Sequence, residues 1–558
     1  MGDFVIPKRV RTRLGHGAVA VSVSSPARRT PHAQSSAGQD GLRGCTGIFS
    51  VALLTSVAAP AIANSSSNKI HLTVAGTYAT GIFDEGAAEI PAYAPEAKRL
   101  FVVNGADETI DALDLSNPAN PTKLTSATLP ISLKAYGSPN SVAVHGDLVA
   151  AAVEAPTVTD PGSVRFYTVD GTFLGAVTVG ALPDMLTFTP DGTKVVVANE
   201  GEPRGDVNPD GSVSVIDISK GVNAATVKTA SFTRFNAQRA QLQKQGVRFI
   251  NADDTVAQEV EPEYVAVSPD SKRAWVTLQE NNALAIVNLM TARVVRIVPL
   301  GTQNHALPRN AFDASDKDGR IHIVPWPVRG MYMPDSIAAF TTGGYTWLIT
   351  ANEGDDRGET ARVKDLTLDP KAFPNAATLQ QDENLGRLTV STIDGDPDND
   401  GVYDALYAYG GRSFSIWATN GKLLYDSCQQ LEKITARALP KEFNSNNDEN
   451  DSFDSRSDNK GPEPEGVAVG KVGARTYAFV GLERIGGIAV FDVTVPRRPH
   501  FVQYINNRDF SGDPENGTAG DLGPEGVEFI SAADSPTGVP LLVVANEVSG
   551  TTTIYYVK

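Results

Sequence analysis

Acidic side chains recur in this sequence where short apolar runs begin and end. One set opens runs: Asp184, Glu263, Asp335, Glu465 and Glu525. A second set closes the runs that follow: Glu154, Glu200, Glu280, Glu353, Glu483 and Glu547. Antiparallel neighbours put the start of one strand beside the end of the next. Both sets are therefore expected at one face, around a single channel mouth. Carboxylates gathered there raise one another's pKa unless counter-charge is present. Bound Ca²⁺, or another hard cation with oxygen ligands, would supply that charge. Arg204, Arg357 and Arg484 closely follow Glu200, Glu353 and Glu483. They are candidates to neutralise part of the ring or to hold an anion. The same carboxylates could instead accept backbone N–H bonds and tie neighbouring sheets together, and the residue types leave both roles open.

A second acidic pattern reads DGDPDNDGVYD over residues 394–404. Counting from Asp396, acids fall at places one, three and five (Asp396, Asp398, Asp400), Gly401 at six and Asp404 at nine. Those places match the first nine of a calcium loop, with the Val402 carbonyl as the expected ligand at place seven. Place twelve is Tyr407 rather than Glu, so the loop is not a complete EF-hand loop. Residues 313–319, DASDKDG, are a weaker relative. The seven histidines, His16, His32, His71, His145, His305, His322 and His500, show no paired metal-ligand spacing, which argues against a His-rich zinc or di-iron centre. No GxSxG elbow, Walker loop or dinucleotide fingerprint occurs. Cys428 reads as a half-buried thiol rather than a nucleophile.

The elements that must position these acids are repeats. The fullest copy spans residues 461–492: an acidic turn, a run ending near Glu483, and a further run ending in Asp492. Seven degenerate copies follow one another along the chain. Their runs are short, rich in Val, Ile, Thr, Tyr and Phe, and bounded by Gly, Pro, Asp or Asn, which are strand and hairpin signals. Four antiparallel strands repeated radially make a β-propeller. The expected fold is all-β, a seven-bladed propeller. The last copy stops after three strands, and the orphan run HLTVAGTY at residues 71–78 is expected to supply its fourth. Insertions are expected at residues 235–254, with the chain's one expected short helix placed there, at 302–329, and at 354–411 inside the fifth copy. Residues 444–460 are polar and acidic, expected as an ordered or metal-tied loop.

Of the chain's net charge of −17, the first 63 residues carry +5, so the remainder carries −22. Such a body repels nucleic-acid phosphates and has no electrostatic claim on an anionic membrane. Residues 1–63 read as a leader with a secretory signal. The apolar run 48–59 precedes Ala61-Ile62-Ala63, with cleavage expected after Ala63 and one domain over 64–558. The run is too short to span a bilayer, and no later stretch is long and apolar enough to be a transmembrane helix. The mature chain would keep one thiol, Cys428, and no internal disulfide.

ANEGEP, EPEYVAV, MYMPDSIAAF, GGRSFSIW, DSRSDNKGPEPEGVAVG, GLERIGGIAVFD and LGPEGVEFI together resemble the bacterial choice-of-anchor I domain, over roughly residues 70–558. The resemblance implies a secreted or surface-displayed β-propeller. Members attach by differing C-terminal anchors, and no anchor follows the repeats here, so a periplasmic or released form is expected. Some relatives are labelled alkaline phosphatase, and the acidic mouth is similar in kind to that of calcium-dependent propeller phytases. Two functions follow as expectations: a calcium-binding propeller that holds a small-molecule or surface ligand at its acidic mouth, or a calcium-dependent phosphoesterase. In the second, metals on Asp184, Glu263, Asp335, Glu465 and Glu525 would activate water. The sequence names no catalytic residue, ligand or oligomeric state.

Overall fold

The computed structural model describes residues 69–131 and 136–558. The expected leader and cleavage after Ala63 lie outside them. The described chain is all-β, built from antiparallel sheets whose strands follow one another in sequence. Sheets of four strands begin at Pro139, Pro183, Pro262, Ile337, Pro464 and Pro524, and a five-stranded sheet begins at Pro91. In the sheet begun by Pro524–Ile530, the fourth place is taken by Leu72–Ala79, which pairs with Thr551–Val557 from Leu72↔Val557 to Ala79↔Thr551.

The first strands touch in sequence order around a circuit. Pro91–Ala94 meets Pro139–His145, and each later sheet follows in turn until Pro524–Ile530 returns to Pro91–Ala94. That circuit of sheets, each facing the next, is the arrangement of a β-propeller. Between sheets the core is mostly aliphatic. Val196, Val213 and Val215 of one sheet share a cluster with Val276, Ala285 and Val287 of the next.

Close approach of the first strands explains the Pro-Glu-Gly repeats. A Cβ on Gly466 would lie 2.0 Å from the Glu525 carbonyl oxygen, and one on Gly526 would lie 2.2 Å from that of Glu89. Only a residue without a side chain lets these backbones pass. Gly466→Ala is accordingly expected to cost about 1–3 kcal/mol, because the neighbouring strand must move. Urea denaturation would read it, and an unchanged midpoint would show that the strands give way freely.

The Asn of the Asn-Glu repeat is a clamp across strands. Asn199 Nδ2 donates to Ser212 Oγ at 3.1 Å and Ser214 Oγ at 3.0 Å. Asn352 Nδ2 donates to Ser413 Oγ at 3.0 Å and Ser415 Oγ at 2.9 Å. All of these partners are buried, so the amide satisfies hydroxyls that water cannot reach.

The insertions fold together, which the sequence reading did not foresee. Phe312, Trp326 and Val328 pack with Val363, Leu385, Leu388 and Leu406 in one buried cluster. Arg329–Met331 also pairs in parallel with Tyr407–Ala408. The inserted chain leaves and re-enters its sheet at one point, where Asn352 pairs with Ser413. Arg248, from the 235–254 excursion, joins them through Asp394 at 2.8 Å and Glu359 at 2.5 Å. One short helix was expected. The described residues hold four α-helices, Arg239–Gln245, Val256–Glu259, Ala376–Leu379 and Gln430–Ala438. The last was missed because a single buried face, Leu431, Glu432 and Thr435, gives too few periodic positions to read against polar neighbours.

Candidate functional site

Each first-strand acid follows a proline; Asp335 lies in a bend just before Ile337–Thr342, and at the other four the strand itself is irregular. Pro183 pairs with Asn199, Pro262 with Leu278, Pro464 with Leu482 and Pro524 with Asn546; in each case the register then shifts before the ladder resumes three residues on. Asp184, Glu263, Glu465 and Glu525 sit in those irregular steps. Such a break in the ladder re-aims a side chain. The second-strand acids come just past the paired ends and are held by their backbones: Glu200 N–H donates to Leu182 O at 2.9 Å, Glu483 to Glu463 O at 2.9 Å and Glu547 to Gly523 O at 2.7 Å.

The two sets converge. Burial, then the charges of Asp184, Glu200, Glu280 and Asp335, drive the Glu263 carboxyl well above its ordinary range. Burial, then Glu483, Glu353, Glu525 and Asp335, does the same to Glu465. Asp335 acts on both, so acids from five successive sheets share one field. Glu547 reaches it through Glu483, whose carboxyl is pushed up to about 7 by burial against the opposing pull of Arg484. Burial likewise pushes Glu280 up to about 7, with Arg357 opposing. Glu280, Glu353, Glu465 and Glu483 are buried, while Asp184, Glu200, Glu263, Asp335, Glu525 and Glu547 are half-buried.

The basic candidates divide. Arg204 pairs with Glu202 at 2.6 Å, and its side chain is 51% exposed. Arg357 binds Glu261 at 2.8 Å and donates to the Glu259 carbonyl at 3.1 Å. Arg484 binds Glu463 and Glu483, each at 3.0 Å, and Asn447 Oδ1 at 3.0 Å. Arg357 and Arg484 are thus engaged by carboxylates.

Glu261, Glu463 and Lys460 escaped the sequence reading as site residues. Glu463 is fully buried and receives Arg456 at 2.6 Å, Arg484 at 3.0 Å and Lys460 at 3.3 Å. Its φ of 49° is left-handed, a strained conformation for a residue with a side chain. Lys460 also binds Glu353 at 2.8 Å. A signal was present in the repeated Glu-Pro-Glu at residues 261–263 and 463–465. In both, the first Glu takes an arginine and the second faces the shared field.

Ligand oxygens of Glu353, Glu463 and Glu483 lie within 4.8 Å of one another, as do those of Asp396, Asp398 and Asp400. In the first group Lys460 and Arg484 already supply cations. Glu483 Oε2 in that group, and Glu280 Oε2 elsewhere in the mouth, are buried without a hydrogen-bond partner. An all-oxygen donor set of this kind fits a hard cation such as Ca²⁺. In the acidic loop, Asp396 accepts the N–H of Asp400 at 3.2 Å and of Gly401 at 2.9 Å, and Asp400 accepts that of Val402 at 2.8 Å. Desolvation and the charges of Asp369, Asp398, Asp400 and Asp396 raise the exposed Asp404 carboxyl. Asp394 is drawn away to Arg248.

The family model of the Choice-of-anchor I domain matches residues 89–496. The chain belongs to this family. Curated proteins similar to this choice-of-anchor I chain include Gigasin-3a of Magallana gigas, 35% identical over 196 residues, covering 32% of this chain and 67% of that protein. A mesenchyme-specific cell surface glycoprotein of Strongylocentrotus purpuratus is 28% identical over 278 residues, 43% of this chain and 35% of that one. The chain therefore spans about a third of the sea-urchin protein's length. Solved structures with a loose likeness include the Cps50 β-propeller domain of Myceliophteria thermophila, with TM-score 0.42 and 9% identity over 86% of this chain and 100% of that one. Another is the Kuenenia stuttgartiensis hydrazine synthase, with TM-score 0.43 and 14% identity over 86% and 99%. No helix among the described residues is long and apolar enough to cross a membrane.

Proposed function

We propose that this choice-of-anchor I chain is an exported, calcium-binding propeller of seven blades that holds a ligand or partner at its acidic channel mouth. In this reading Leu72–Ala79 completes the last blade by pairing with Thr551–Val557. The supporting observation is the shared field of Glu263, Asp335 and Glu465 with acids of neighbouring sheets. Lys460, Arg357 and Arg484 neutralise the rim through Glu353, Glu261 and Glu463. Asp184, Glu200, Glu263, Asp335, Glu465, Glu525 and Glu547, which gather in that field, would share a bound cation. The ion would in turn present open coordination positions to an oxygen-rich ligand. The loop of Asp396, Asp398 and Asp400 is a separate calcium site in the same reading. Export accords with the family name and with a relative described as a cell surface glycoprotein.

The test is calcium titration of the mature protein, with Glu465→Gln and Asp335→Asn beside the wild type. Each change is expected to weaken one class of bound Ca²⁺ about tenfold or more, leaving the fold intact. Unchanged calcium affinity in both variants would return these acids to a purely structural role. Hydrolysis of p-nitrophenyl phosphate or phytate only with Ca²⁺ would instead favour phosphoesterase chemistry.

A further inference from the structure

Charge is not spread evenly over the sheets. The excursions at 235–254, 302–329 and 444–460 run from the last strand of one sheet to the first of the next, and 354–411 joins a second strand to a third. All of these connections lie at the mouth end. The opposite end holds the hairpin turns within each sheet. There the sheet of Pro464–Val472, Arg475–Leu482, Ile488–Asp492 and His500–Ile505 carries Lys471, Arg475, Arg497 and Arg498. The one acid at that end of the sheet is Asp492, and Arg475 binds it. Lys422 stands at the same end of the preceding sheet, in the turn after Ser413–Ala418.

Backbone pairing gathers these groups at one corner. Lys471 pairs with Thr476. The Thr476 N–H donates to Thr494 Oγ1 at 2.9 Å, and its carbonyl accepts the Val493 N–H at 2.8 Å. The turn Val495–Arg498 therefore abuts the hairpin of Lys471 and Arg475. Pro496 holds the second place of that turn, and the Arg498 N–H closes it on the Val495 carbonyl at 2.8 Å. Thr342 Oγ1 of the preceding sheet donates to the Thr494 carbonyl at 2.9 Å, which brings the hairpin tip Tyr345 alongside. Tyr345 is 69% exposed and Val495 55%. Lys422, Lys471, Arg497 and Arg498 are exposed and form no ion pair among the described residues. In a chain whose body carries −22, this corner is cationic, with two bare apolar tips.

We propose that this corner docks on an anionic phospholipid surface. Val495 and Tyr345 enter the headgroup layer, and Lys471, Arg497 and Arg498 face the lipid phosphates. Apolar tips among unpaired cations gain from both halves of such an interface. The acids of the mouth do not cancel the attraction. Glu465 and Val472 lie seven residues apart on one strand. That is about 23 Å at about 3.3 Å per residue, and physiological salt screens charge over about 8 Å. Docked this way, the protein turns its acidic mouth away from the membrane. The corner shares no residue with the mouth, so the inference stands whether or not the mouth binds calcium.

Co-sedimentation of the mature protein with lipid vesicles tests it. Chelator is kept present so that calcium cannot bridge the mouth acids to lipid. Vesicles of equal parts phosphatidylglycerol and phosphatidylcholine are expected to carry the protein down, and vesicles of phosphatidylcholine alone are not. Binding should fall as salt rises. Reversing both turn charges, Arg497→Glu with Arg498→Glu, should weaken binding about tenfold or more. Val495→Ser should weaken it by a smaller factor. Lys244→Glu, an exposed reversal in the excursion at the mouth end, should leave it unchanged. Should the double reversal fail to fold, Lys471→Glu carries the same expectation. Equal binding to both kinds of vesicle, or full binding by whichever reversal folds, would overturn the proposal. So would release from the vesicles by inorganic phosphate at constant ionic strength, which would mark a pocket for a single anion in place of a lipid surface.

Discussion

Glu463→Gln is expected to be among the most damaging single substitutions in this protein, costing about 3–5 kcal/mol. Its carboxylate is fully buried and holds Arg456, Arg484 and Lys460 at once. Removing the charge leaves three largely buried cations with one anion fewer at a position that water does not reach. Lys460 and Arg484 would still have Glu353 and Glu483, but Arg456 would lose the one acid that its guanidinium hydrogen-bonds among the described residues. Lys460→Met should cost less, because it also removes a cation that needs burying. The double variant should fall well short of the sum of the two losses, since the residues share one network. Urea denaturation measures all three, and a loss below about 1 kcal/mol for Glu463→Gln would mean the network is replaceable. The three cations hold the Glu463 carboxyl well below its ordinary value of 4.5. Its contribution is therefore present above about pH 4.5 and is lost on further acidification.

The second large effect is the response of stability to pH and calcium. Glu280 and Glu483 have carboxyls pushed up to about 7 from 4.5, first by burial. A carboxyl that holds its proton more tightly when folded favours the fold most below its unfolded pKa. That contribution is lost as pH rises from about 4.5 through about 7, on the order of 3 kcal/mol for each group. Glu263 and Glu465 shift in the same direction. With chelator present, the protein is therefore expected to be most stable near pH 5 and to weaken toward pH 8. Ca²⁺ should do little at pH 5 and much at pH 8, where it takes the place of the lost protons. At a hundredfold excess over Kd the gain is about 2.7 kcal/mol for one ion. Melting temperatures across this range, with calcium and with chelator, give the answer. A calcium effect equal at pH 5 and pH 8 would remove the buried mouth acids as its cause.

Repeat, fold class and the pairing of acids were legible because propeller strands are local. Each blade's sequence carries its own alternation of apolar runs and turns, and antiparallel order alone puts Glu263 beside Glu280. Family membership was legible too, in long motifs such as DSRSDNKGPEPEGVAVG. The division of labour within Glu-Pro-Glu was not. Glu463 and Glu465 are two residues apart and chemically alike, and only the placement of Arg456, Lys460 and Arg484 makes one an ion-pair anchor and the other a member of the acid ring. The common core of the insertions was equally hidden. Phe312 and Leu388 lie far apart along the chain, and no periodicity links them.

The strands, their order and the acidity of one end of each sheet were readable from residue order, because these follow from neighbours a few residues apart. Tertiary structure alone decided which carboxylates are matched by a cation and which stay in excess. Charge compensation is a matter of a few ångströms across separate segments, and that distance is set only when the sheets and their insertions have packed.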